Sequence, residues 1–142
     1  MKPLIMFASV KMDGAAAALF GKMVAAMGCA EGETSFEEVP PSPGEDAARA
    51  LAERIEKASP KVLVLMGREA MVALNKAGGR VRRGAWGSFR SIPATATYHP
   101  AFMLRFWAND EKGLKSAKGE VWKALKEALA SIGRVPPPVK KG

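Results

Sequence analysis

Apolar and polar residues fall into blocks along this chain, and each block has the period of one kind of element. Leu4 to Val10 is a short apolar run closed by Lys11 and the turn signal Asp13-Gly14, which predicts a buried strand. From Ala15 to Met27, Leu19, Met23 and Met27 recur every four residues with Phe20 and Val24 beside them. That stripe predicts a helix, with Asp13 as its N-cap and Gly28 as its stop. Thr34 to Val39 has a weaker strand pattern, and Pro40-Pro41-Ser42-Pro43-Gly44 can continue neither element.

The pattern repeats downstream. Glu45 to Ala58 places Ala47, Leu51 and Ile55 on one face, with acids in its first turn, and so predicts a second helix ended by Ser59-Pro60. Lys61 to Met66 is apolar after its first residue, as a central parallel strand would be. Gly67 closes it, and a short helix follows from Arg68 to Leu74. Arg80 to Arg90 is basic and glycine-containing, and reads as loop and short β structure. Ile92 to Tyr98 is β-rich. Lys112 to Ile132 predicts a long amphipathic helix, interrupted only by the awkward Gly119. No internal repeat is visible.

Strands that alternate with helices predict a three-layer α/β/α sandwich around a mostly parallel, about four-stranded central sheet. Ligands of such sheets bind at the carboxyl ends of the strands. That directs attention to Ser9–Gly14, Gly67–Ala70 and His99–Arg105. With 142 residues, one domain over residues 1–133 is expected, followed by a mobile basic, proline-rich tail at 134–142.

Charge sharpens the picture. The net formal charge of +8 hides a division: residues 1–60 hold six basic and nine acidic residues, whereas residues 61–142 hold sixteen and five. Between Lys76 and Arg105 there are six basic residues and no acid. A phosphate backbone is the partner such a segment suits, though a solvated basic surface would look the same. No apolar run is long enough to span a membrane, and the start lacks the long apolar core of a signal peptide. One cysteine, Cys29, allows neither an internal disulfide nor a four-thiolate metal or cluster site. A cytoplasmic monomer without metal or cofactor is the expectation.

The one histidine lies in Thr97-Tyr98-His99-Pro100-Ala101-Phe102-Met103-Leu104-Arg105. Pro100 holds His99 extended and suits the first turn of a helix, so a strand would deliver the imidazole to the sheet rim ahead of a helix N-terminus. The stretch resembles the Thr-Tyr-His-Pro-Ala-(Tyr/Phe)-Leu-Leu-Arg signature of the uracil-DNA glycosylase superfamily, in particular its bacterial and archaeal iron–sulfur branch. Pro60 to Ala70 is similar to that family's strand ending in Leu-Gly-Arg-x-Ala, and Arg83-Gly84-Ala85-Trp86 to its Arg-Gly-x-Trp segment.

The resemblance implies extrusion of a base from DNA and cleavage of its bond to deoxyribose. His99 falls on the position that donates to the uracil oxygen as charge develops there. Met103 falls on the wedge that enters the duplex, with Leu104 beside it. Arg68, Arg82, Arg83 and Arg105 fall where phosphates would be held. The family's Gly-Glu-Ala-Pro-Gly motif after the first strand is not present here, nor is the stacking aromatic, the Asn after the second strand or the cluster cysteines. Asp13 is the acid nearest the first strand's end and so the candidate to position water, with N-capping its competing role. Ser9, Met12 and Glu37 are what remains to line a base pocket. Two functions stay open: a cluster-free glycosylase using His99, and a DNA- or nucleotide-binding module of the same fold that has lost catalysis. An interaction scaffold is a third.

Overall fold

The computed structural model describes residues 2–138. In chain order the elements are β1 (Ile5–Ser9), α1 (Gly14–Met27), β2 (Thr34–Glu38), α2 (Glu45–Ala58), β3 (Val62–Met66), α3 (Arg68–Lys76), β4 (Arg80–Arg82), β5 (Ala85–Phe89), β6 (Ile92–Thr97), α4 (Pro100–Phe106) and α5 (Glu111–Ser131).

The strands form one six-stranded sheet in the order β2-β1-β3-β6-β5-β4. The first four are parallel, and β5 and β4 add an antiparallel hairpin at one edge. The sheet is thus mixed and six-stranded, which corrects the expected four-stranded one. The two additional strands come from the basic stretch at 80–89. Gly84, at φ 76°, turns the chain between them, and the Thr95 hydroxyl donates to the Ala85 carbonyl to fasten β5 against β6.

Helices cover both faces, because β1 and β3 are buried along their whole length and must be covered on both sides. Met6, Ala8, Leu63 and Leu65 point to a core shared with Leu51 and Ile55 of α2 and Leu74 of α3. Ile5, Phe7, Val62 and Val64 point the other way, to Met23 and Met27 of α1, Met103 of α4 and Val121, Leu125 and Leu129 of α5. Helix α5 runs unbroken through Gly119. Its buried stripe of Ala117, Val121, Leu125 and Leu129 outweighs the roughly 1 kcal/mol that one interior glycine costs. The chain leaving β1 runs to β2 on one side, and the chain leaving β3 runs toward β4–β6 on the other, which puts the topological switch point between β1 and β3.

The chain after α5 is partly held down. Arg134 donates through Nη1 to Glu33 Oε1 at 2.7 Å and pairs with Oε2 through Nη2, and the Pro137 ring lies over Gly28. Of the tail expected at 134–142, residues 139–142 lie outside the described residues. The Arg134 guanidinium, helped by the Ala30 N–H, holds the Glu33 carboxyl at about 2, down from 4.5. A lowered carboxyl favours the fold at all pH values above its ordinary range, and that contribution disappears as pH falls from about 4.5 through about 2. Thermal unfolding followed across that window is expected to fall more steeply for the native chain than for Glu33→Gln. Parallel curves would remove the clasp from the list of stabilising contacts.

Candidate functional site

The switch point places the carboxyl ends of β1 and β3 side by side, and the segment after β6 crosses over them. His99 is the N-cap of α4: its Nδ1 accepts the Ala101 N–H at 2.9 Å, and Pro100 occupies the first helical position. A nitrogen that accepts carries no proton, so the ring proton lies on Nε2. That nitrogen faces the Val10 carbonyl at 3.4 Å, and Ser9 donates to the same carbonyl through Oγ at 2.6 Å. His99 and Ser9, far apart in sequence, therefore meet on one backbone oxygen at the end of β1.

The close fit depends on Gly67. Its φ of 98° and ψ of 165° belong to a region that glycine alone enters freely, and a Cβ there would stand 3.2 Å from His99 Cβ. His99 is 6 % exposed and Ser9 fully buried, so the crevice holding both is packed.

The remaining pocket candidates separate. Glu37 stands opposite Ala8 in the β1–β2 register and faces the α2 side of the sheet, where Arg54 Nε donates to it at 2.7 Å. Its carboxylate is thereby drawn away from Ser9 and His99. Met12 is half-buried against the α1 and α5 core. Asp13 precedes α1 in an extended conformation without a side-chain capping bond, and it is exposed. Met103, the expected wedge, is fully buried in the core beneath α4. Leu104 beside it is half-buried. Burial pushes the Cys29 thiol up, which keeps it a poor nucleophile and suits a small apolar packing group. Among the described residues no three His, Cys, Asp or Glu side chains come together as a metal site would need.

The cationic candidates lie outward. Arg68, Arg82, Arg83 and Arg105 are all exposed. Arg68 opens α3 directly after β3, and Arg83 bridges to Ala96 near the end of β6, so both reach the carboxyl edge of the sheet. They line one cavity of about 340 Å³ there. Arg83 Nη1 donates to the Tyr98 hydroxyl at 2.7 Å and lies 3.5 Å from Glu120 Oε2.

Beside that cavity stands a group that the sequence reading passed over. Tyr98, Phe102 and Phe106 stack in series, and Trp107 packs edge-on against all three. Phe102 and Phe106 lie one helical turn apart. That i, i+4 spacing was readable, but the family signature drew attention to Met103 and Leu104 between them.

The model of the uracil DNA glycosylase superfamily matches residues 15–126, from the start of α1 well into α5, so that β1 precedes the match. A search of curated proteins finds no match. The matched span covers far more than half of the chain and includes β3, Gly67, Arg83 and the His99 cap, and on that ground the chain belongs to the uracil DNA glycosylase superfamily.

Proposed function

We propose that this protein binds DNA through the arginine-bearing carboxyl edge of its sheet and does not excise bases. The observation that carries the reading is the state of His99. Its one donor, Nε2, already faces the Val10 carbonyl, in a crevice closed by Gly67 and Ser9. An oxyanion donor works when it is aimed at the place where charge develops. Here the donor is turned to a backbone oxygen 3.4 Å away. Glu37, the carboxylate expected in a base pocket, is paired with Arg54 and can only accept. The exposed Arg68, Arg82, Arg83 and Arg105 supply cations for phosphates, and the net positive half of the chain adds a long-range attraction.

Base excision is the second reading, and one observation favours it. The capping bond from Ala101 puts the ring proton on the nitrogen that faces the switch point, as a donor to a departing uracil anion would need. That route requires the Val10 segment to move aside.

Both readings are tested on uracil-containing single- and double-stranded DNA. The expected result is no abasic sites, together with binding that weakens as salt rises. Removing one phosphate-contacting arginine, by Arg83→Ala or Arg105→Ala, is expected to reduce the salt slope by about 1. Abasic sites produced by the native chain and lost in His99→Ala would overturn the non-catalytic reading. Salt-insensitive or undetectable binding would overturn the DNA-binding one.

A further inference from the structure

We propose that the aromatic tier of Tyr98, Phe102 and Phe106, with the cavity beside it, is a stacking site for the unpaired bases of single-stranded DNA, separate from the His99 crevice. The proposal rests on the DNA-binding reading above and assigns the bases a place. Phe102 and Phe106 stack with centroids 5.2 Å apart and planes 22° apart, and Tyr98 continues the series at 5.9 Å and 17°. The rings stack on one another and so cover their shared faces, and the series ends in Phe106, which offers the open ring face to a base. Phe106 is 66 % exposed and Phe102 37 %.

Two bulky rings held open to water at the end of a seven-residue helix add nothing to the core, which Met103 of the same helix already serves. Trp107 braces the tier from its edge, so the rings are pre-set rather than free to collapse. The cavity is walled by Met71, Ala96 and Phe102 and flanked by Arg68 and Arg83. Its volume of about 340 Å³ lies at the lower end of small-ligand sites and suits a planar base. Arg83 lies over the Tyr98 ring, 4.8 Å from its centroid. Apolar ring faces bordered by guanidinium groups form the combination that single strands use: bases stack, and phosphates find cations.

The test compares a short oligothymidylate with an abasic oligonucleotide of the same length, titrated by fluorescence anisotropy. The two carry the same phosphates and differ only in bases. The expected result is tighter binding of the oligothymidylate by about tenfold or more, a preference lost in Phe106→Ala and in Phe102→Ala while abasic binding is unchanged. Phe106 is exposed enough that its truncation leaves the fold intact. Equal, salt-sensitive binding of both probes would overturn the stacking site and leave the DNA-binding reading standing. Binding of neither would overturn both. Self-association of the chain that Phe106→Ala abolishes, with no base preference, would assign the tier to a second copy and overturn the proposal.

Discussion

Met103→Ala is expected to lower the free energy of unfolding by about 2–5 kcal/mol, the range for truncating a fully buried large side chain. Met103 projects from α4 into the layer that holds Met23, Met27, Val121 and Leu125, and α4 packs on both α1 and α5. A cavity there loosens the join between these helices and the sheet. Chemical denaturation of the native chain and the variant measures the cost directly. Below the unfolding transition, the variant's affinity for DNA is expected to stay near that of the native chain. The opposite pair of results, an unchanged unfolding curve with weakened binding, would return Met103 to the role of a wedge. Leu104→Ala provides the comparison: its half-buried side chain has fewer neighbours to lose, so its cost is expected to be smaller.

The contrast between Met103 and its neighbours shows which parts of this fold were readable. Helix α2 was found at its full extent, Glu45–Ala58, because two acids mark its first turn and one apolar stripe runs its length. Strand β3 was readable because five consecutive apolar residues have no other use than burial on both faces. The hairpin of β4 and β5 was not. Three and five residues, with Val81 and Phe89 as their buried positions, are too short to show a period of two through arginine and glycine. Helix α4 has the same difficulty at seven residues, so a family signature stood in for periodicity there. The place of His99, extended and just ahead of α4, was readable because Pro100 restricts both its own position and the one before it. What His99 would face was not, since the Val10 carbonyl is a backbone atom 89 positions away.

Gly67→Ala is expected to have the second large effect, and it acts on the site itself. At φ 98° and ψ 165° an alanine meets backbone strain, and its Cβ would also press on His99 Cβ at 3.2 Å. Strain and crowding together are expected to cost about 2–4 kcal/mol. His99 cannot retreat freely, because Ala101 holds Nδ1 on one side and Val10 stands before Nε2 on the other. Relief must therefore come from breaking the capping bond or from moving the end of β3. The first route frees the Ala101 amide, and hydrogen exchange detects that as lost protection beyond the global change in stability. An unchanged unfolding midpoint with full protection at Ala101 would mean that the crevice has room to spare, and the closed state assigned to His99 would fall with it. The loss of protection would instead make this glycine the residue that lets a six-stranded sheet end close under a capped imidazole, which links the fold of β3 to the silence proposed for the site.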